Sequence, residues 1–259
     1  MSGARLVWHQ FRFDQKIFWR NPAAVFFTIM LPIIFLFIFA TIFGNHTIAA
    51  RHGLKVKTYY VPGIITLAVS SATLVSLAIS LTRSREDGVL KRLRGTPAPA
   101  WAIVAGRVGN SIVVSALMVV LLTAIGRIVY GVHLPGATIP AIVVTLLVGA
   151  SAFSCLGFAL TSVIPSEEAA PAFTNAIVLP LYFLSGVFIP ETEIPDGVLH
   201  VANVFPVRPM FEALLTGFDP TTTGAGFEPG RLAVVAAWGL LGLAIAIRGF
   251  AWTPRSERS

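Results

Sequence analysis

Six apolar stretches, each about long enough to cross a bilayer, constrain this chain more than any other feature. They run from Ala23 to Phe43, Pro62 to Leu81, Ala102 to Tyr130, Ile139 to Ile164, Ala172 to Ile189 and Leu232 to Trp252. The hydrocarbon layer is about 30 Å thick, so a spanning helix needs roughly 20 apolar residues. Backbone in lipid must satisfy its own N–H and C=O groups, which long apolar runs do as helices. The expected fold class is an all-α membrane protein with six transmembrane helices.

The chain has 259 residues, of which 55% are hydrophobic and only 12% charged. A soluble domain carries about 25% charge. The few charges sit between the apolar runs or at their ends, where their hydration survives. No segment outside the runs is long enough for a separate soluble catalytic domain, so residues 1–259 read as one domain. A net charge of +7 invites a nucleic-acid partner, but the arrangement argues against one. With a cytoplasmic amino terminus and six crossings, the inner side receives Arg5, Arg12, Lys16, Arg20, Arg83, Arg85, Lys91, Arg92, Arg94, Arg107, Arg248, Arg255 and Arg258. The outer side receives Arg51, Lys55, Lys57, Arg127, Arg208 and Arg231. This bias follows the positive-inside rule and places both termini in the cytoplasm; Arg51, Lys55 and Lys57 are its local exception. The single cysteine, Cys155, reads as a small buried apolar residue. The first run is too long for a cleaved signal peptide and about twenty polar or mixed residues precede it.

Residues 1–21 predict a helix lying on the membrane. At 100° per residue, Arg5, Arg12, Lys16 and Arg20 share one arc, with Val7, Phe11 and Phe18 opposite. Asp14 falls on the apolar side and breaks the pattern. Such a helix buries its apolar face at the headgroups and sets its cations against anionic lipid. In the second span Thr66, Ser70, Thr73 and Ser80 share a face that either packs closely on another helix or lines a polar path. In the fourth, Gly149, Ser151, Ser154 and Gly157 predict close packing. The turn that follows carries Glu167 and Glu168, which are expected to cap the next helix. From Ile194 to Phe218 the chain is half apolar and broken by Pro206 and Pro209. Two short helices dipping into the outer leaflet fit this stretch, and a loop folded over the outer surface is the alternative.

Catalytic signatures are missing. There is no phosphate-cradling GxxxxGK[ST], no HExxH and no GxSxG. His9, His46, His52, His133 and His200 are dispersed, with no second ligand at metal spacing. No span holds a carboxylate near its middle, so a proton relay lacks its usual parts. Neither catalytic nor metal-binding residues are assigned, and no cofactor is expected on this chain.

The loop between the second and third spans holds Arg85, Glu86, Asp87, Gly88, Val89, Leu90, Lys91, Arg92, Leu93, Arg94, Gly95, Thr96 and Pro97. Val89, Leu90 and Leu93 fall on one face of a short helix, which either docks into a groove of a soluble partner or rests on anionic headgroups. Arg85, Glu86, Gly88, Leu90, Leu93, Thr96 and Pro97 match the pattern R-E-x-G-x-hydrophobic-x-x-L-x-x-T-P. The fifth span closes on Leu184-Ser185-Gly186-Val187-Phe188-Ile189-Pro190, an L-S-G-hydrophobic-F-x-P stretch. In both, the chain resembles the membrane subunit of type 2 ABC exporters (the ABC-2 permease family), and within it the branch typified by daunorubicin export permeases. The stretch Asn203-Val204-Phe205-Pro206 departs from the family's N-P pair by two inserted residues.

That resemblance covers essentially the whole chain and carries several implications. The protein would be a permease of the bacterial cytoplasmic (inner) membrane that exports a hydrophobic or amphiphilic compound, a drug or lipid. ATP and Mg would be bound by partner ABC ATPase subunits, and a second permease, identical or related, would face the first within membrane lipid. Arg85, Glu86, Asp87, Gly88, Val89, Leu90, Arg92 and Leu93 would form the coupling helix. Thr66, Ser70, Thr73 and Asn175 would line the substrate path. Ser185, Gly186, Phe188 and Pro190 would form the outer gate, ahead of a re-entrant helical hairpin. A permease for polysaccharide or lipid-linked glycan, an intramembrane enzyme, and a structural or sensory membrane protein are the competing readings.

Overall fold

A computed structural model describes residues 3–44, 47–48, 53–94 and 100–249, with the backbone alone for residues 3, 4, 23, 24, 93, 94 and 100. Helix α1 (Gly3–Trp19) is followed by α2 (Pro22–Ile42) and a two-residue antiparallel pair, β1 (Thr47–Ile48) with β2 (Leu54–Lys55). A long rod comes next: α3 (Val56–Ser70), a π-helical turn (Ser71–Val75) and α4 (Ser76–Glu86). The short α5 (Val89–Arg94) precedes α6 (Ala100–Tyr130), α7 (Ile139–Leu160) and α8 (Ala170–Leu184). Two further short helices, α9 (Asp196–Ala202) and α10 (Val207–Phe218), lead to α11 (Pro229–Gly249).

Among the described residues five helical stretches are long and apolar enough to cross a membrane: Val25–Ile42, Val56–Glu86, Trp101–Tyr130, Gly136–Leu160 and Pro229–Gly249. The sequence expectation of six full-length spans is not met at the fifth. There the helix is α8, 15 residues long, or about 22 Å at 1.5 Å per residue. It stops at Leu184 because Gly186 turns the backbone to φ +85°, a conformation that ends helices and that glycine adopts freely.

The rod through α3 is the centre of the molecule. Tyr59, Ile64 and Ile65 are completely buried, and so are Phe211 and Leu214 of α10. A helix apolar all round belongs in such a place. Small residues set the close approaches. A Cβ on Gly157 of α7 would lie 2.9 Å from the Leu74 carbonyl oxygen in the π turn, and one on Gly239 of α11 would lie 2.8 Å from Ala152 of α7. Serine Oγ and threonine Oγ1 atoms on the rod fold back on their own helix: Thr66 donates to the Pro62 carbonyl (2.9 Å), Ser70 to Thr66 (2.7 Å) and Thr73 to Val69 (2.7 Å).

The amino-terminal helix is amphipathic in a different sense from the one expected. Val7, Phe11 and Phe18 are half-buried on the protein side, with Phe11 3.6 Å from where Gly109 of α6 would carry a Cβ. Asp14 lies on that same side. Gln10 Nε2 donates to its Oδ1 at 3.0 Å. Burial raises the Asp14 carboxyl above its usual range, and the charge of Arg107 on α6 only partly offsets this. The apolar side chains left exposed on α1 are Trp8, Phe13, Ile17 and Trp19.

Candidate functional site

One face of α2 and one face of α8 stand apart across a cleft of about 1150 Å3, floored by α3 and the π turn. Leu31, Phe35, Phe39 and Phe43 line it from α2 at intervals of four residues, the repeat that keeps side chains on one helical face. Leu67, Tyr60 and Ser71 form the floor, and Asn175, Leu179, Tyr182 and Phe183 the α8 wall. Phe188 is the hub of the aromatic lining. Its ring stacks on Phe39 at 5.6 Å and meets Phe35 and Tyr182 edge-on at 5.7 and 5.9 Å. Such offset and edge-to-face pairs fix ring positions beyond what area burial alone would do.

The polar groups along this cleft are few. Tyr182 Oη lies 2.8 Å from Ser70 Oγ and 3.0 Å from Ser71 Oγ. Tyr60 donates to the Phe188 carbonyl at 3.2 Å. Asn175 is exposed on α8, and Thr192 with Glu193 marks the rim. Of the four residues predicted for the path, Asn175 therefore lies on the cleft. Thr66 and Thr73 are fully buried and Ser70 is 1% exposed; these three pack the rod, and neighbouring Ser71 reaches the cleft instead. The π turn beginning at Ser71 shifts the helical phase between Ser70 and Thr73.

At the carboxyl-terminal end of α8 the residues predicted for the outer gate are pinned by side chains from elsewhere. Tyr59 donates to the Gly186 carbonyl at 2.8 Å. Arg208 Nη1 donates to the Ser185 carbonyl at 3.2 Å, and its Nε donates to Asn203 Oδ1 at 3.0 Å. Pro190 joins the cleft rim beside Phe188. The inserted Val204-Phe205 pair seats on α11: Trp238 Nε1 donates to the Val204 carbonyl at 2.6 Å, and the Phe205 ring stacks on it at 5.7 Å. Behind the gate runs a chain of charges. Arg208 meets Glu191 at 3.3 Å and Glu212 at 3.2 Å, and Arg231 meets Glu212 at 2.7 Å and Glu228 at 3.6 Å. Glu212 is 1% exposed and Arg208 6%. Sequence reasoning missed this network, although Arg208 and Glu212 stand four apart in an otherwise apolar run, the spacing of a helical ion pair.

At the opposite end of the molecule the residues predicted for coupling divide. Gly88 takes φ +68° between α4 and α5. Asp87, Lys91 and Arg92 are exposed and Val89 is half-buried. Leu90, expected to present an apolar face to a partner, is instead 1% exposed and packed with Leu77, Leu81, Phe158 and Ala246 of its own chain. Arg85 is also buried. It donates to the Thr161 carbonyl at 2.7 Å, to the Ile164 carbonyl at 3.0 Å and to Glu86 Oε1 at 2.7 Å. The Leu93 side chain and the motif residues Thr96 and Pro97 lie outside the described residues. Nor do the glutamates of the following turn cap α8 directly: the Ser166 hydroxyl accepts from the Ala169 amide at 3.3 Å, while Glu167 faces Arg83 at 3.3 Å.

In sequence the chain is similar to known membrane permeases. The chain is 26% identical over 196 residues to the inner membrane transport permease YadH of Escherichia coli K12, covering 74% of this chain and 75% of that one. It is 25% identical over 222 residues to the daunorubicin resistance ABC transporter permease protein DrrB1 of Streptomyces coeruleorubidus, covering 85% and 76%. From α1 through the cleft and both ends of α8 to the last residue of α10, residues 5–218 match the ABC-2 type transporter family, and this multi-pass membrane protein belongs to it.

Proposed function

We propose that this chain is the membrane-embedded half of an ATP-driven exporter of the bacterial inner membrane, with both termini in the cytoplasm. It carries a hydrophobic or amphiphilic compound, a drug or lipid, along the cleft between α2 and α8. ATP and Mg sit on partner ABC ATPase subunits. A second permease closes the open side of the cleft, and α5 is the coupling helix, offering Asp87, Lys91 and Arg92 rather than an apolar face. Nucleotide drives the cycle only so far as it binds the inward- and outward-facing states with different affinity.

The observation that carries this reading is the cleft's lining. Its volume is that of a drug-sized site, its wall is mostly aromatic and aliphatic, and among the described residues Glu193 is the one charged residue along it. The names of YadH, a transport permease, and DrrB1, a daunorubicin resistance permease, point the same way. The aromatic rings also favour a second reading, a permease for a lipid-linked glycan. A sugar needs many hydrogen-bonding partners, however, and the Tyr60 and Tyr182 hydroxyls are already engaged.

The test is reconstitution with the cognate ATPase in vesicles, using ethidium and a dansyl-labelled phospholipid as probes. Asn175→Trp, which fills the cleft from α8, is expected to slow ATP-driven movement of at least one probe at least tenfold with the ATPase still bound. Wild-type movement by this variant overturns the path. Nucleotide hydrolysis by the permease alone overturns the division of labour.

A further inference from the structure

We infer that Arg85 is the positioning residue that joins the coupling helix to α8, so that motion at α5 is delivered to the wall of the cleft. The inference rests on the exporter reading above and adds a specific mechanical link to it. Three observations carry it.

First, the guanidinium is 1% exposed and does not face outward, where an ATPase would sit. Second, the atoms it holds are the carbonyl oxygens of Thr161 and Ile164, at 2.7 and 3.0 Å. These lie just past the end of α7, where a helix leaves carbonyls without intrahelical partners. One planar group thus ties the last turn of α4 to the α7–α8 turn in a fixed fork that a lysine cannot reproduce. Third, both sides of the tie are rigid. Ile164 and Ala170, at the start of α8, are completely buried against Ala78 of α4, and Leu90 glues α5 to the same helix. A push on α5 therefore moves α4, the turn and the inner end of α8 together, and α8 carries Asn175, Leu179 and Tyr182 into or out of the cleft.

The experiment reads distances between spin labels in the full permease–ATPase complex, in a Cys155→Ser background. Labelled permease is diluted with unlabelled permease so that only pairs within one chain are seen. One pair, Lys91→Cys with Ala172→Cys, spans the joint from α5 to α8. The other, Phe27→Cys with Ala172→Cys, spans the inner mouth of the cleft from α2 to α8. Each is read without nucleotide and after trapping with ATP and vanadate.

In wild type the joint distance is expected to stay constant while the mouth distance shifts. In Arg85→Gln, and to a lesser degree in Arg85→Lys, the joint distance is expected to change on trapping and the mouth to lose its response, with the ATPase still co-purifying. A joint distance that changes in wild type as much as the mouth does overturns the inference and leaves the exporter reading standing. So does a mouth response retained in Arg85→Gln. If neither distance responds although the ATPase is bound, the exporter reading fails and the joint fails with it. The wild-type pairs decide the matter even where Arg85→Gln does not fold.

Discussion

The two ends of α8 are each held by a buried arginine, and the two arginines are held differently. At the inner end Arg85 is met by two backbone carbonyls and by Glu86, whose side chain is 22% exposed. Its charge is met by the Glu86 carboxylate at 2.7 Å and, more weakly, by the negative end of α7, where the helix dipole favours a cation. At the outer end Arg208 lies between Glu191 and Glu212, with Arg231 completing the cluster. Carbonyl acceptors are directional but neutral, so the inner tie is geometric. Carboxylates are ionic and costly to leave alone in a dry interior, so the outer tie is electrostatic. A helix held this way has a directional, hydrogen-bonded tie at its amino-terminal end and an ionic anchor at its carboxyl-terminal end.

The largest expected effect breaks the anchor. Glu212→Gln keeps the volume but removes the carboxylate shared by Arg208 and Arg231, which leaves the buried Arg208 with Glu191 as its remaining partner in the cluster, a loss that approaches the cost of breaking a buried ion pair, about 3–5 kcal/mol. Arg85→Gln removes two hydrogen bonds to neutral carbonyls and the pair with Glu86, whose carboxylate is partly exposed and regains water, a loss of about 1–3 kcal/mol. Thermal unfolding of the purified protein in detergent should place Glu212→Gln clearly below Arg85→Gln. The reverse order would erase the distinction between ionic anchor and hydrogen-bonded tie.

Two glycines sharpen it. Gly88 at the inner end and Gly186 at the outer end both have positive φ, +68° and +85°. A non-glycine residue in that region costs about 1–2 kcal/mol whatever surrounds it. A Cβ on Gly88 meets nothing within 4 Å, whereas one on Gly186 would stand 2.8 Å from the Tyr59 hydroxyl and 3.3 Å from Arg208 Nη1. Gly88→Ala should therefore lose about 1 kcal/mol, and Gly186→Ala about 1 kcal/mol more, since its neighbours are pinned. Tyr59→Phe should reduce the excess at Gly186 while leaving Gly88→Ala unchanged, a coupling that a double-mutant cycle reads directly. Equal losses at the two glycines would mean that the outer loop yields.

How legible these features were depended on the kind of signal each one sends. Apolar run length located α2, the α3–α4 rod, α6, α7 and α11, because lipid imposes a single length scale on every span. It overstated α8, because the apolar residues from Val187 to Ile189 continue past a break that a single glycine makes. Hydroxyl periodicity groups Thr66, Ser70 and Thr73, but all three are buried within the rod while Ser71 lines the cleft, a difference that hydroxyl spacing alone does not encode. The coupling-loop motif pointed to Arg85, but its inward aim depends on carbonyls that lie 76 and 79 residues further along the chain. Arg208 reads from the sequence as an outer-side charge because charge outside the apolar runs usually means solvent, and Glu212 carries no separate signal. Only the fold of α10 into the core makes them buried partners.

The smallest expected effect concerns another buried cation on the inner side. Arg107 donates to Ser84 Oγ at 3.2 Å, one residue from Arg85, while among the described residues its Nε and Asp14 Oδ2 have no hydrogen-bond partner. Asp14 is half-buried, and burial raises its carboxyl above the ordinary value of 3.8. A carboxyl that ionises later in the folded than in the unfolded state contributes most below the unfolded value, and its contribution falls away as pH rises through the folded one. Near neutral pH the ionised Asp14 therefore opposes docking of α1 on α6, in spite of Arg107. Asp14→Asn keeps the shape and the acceptor for Gln10 while removing that opposition. It should slow hydrogen exchange in α1 slightly at neutral pH, with the difference from wild type vanishing as the wild-type carboxyl protonates. If the variant instead exchanges faster at neutral pH, Asp14 and Arg107 act as a true ion pair, and the inner side holds an ionic anchor of its own.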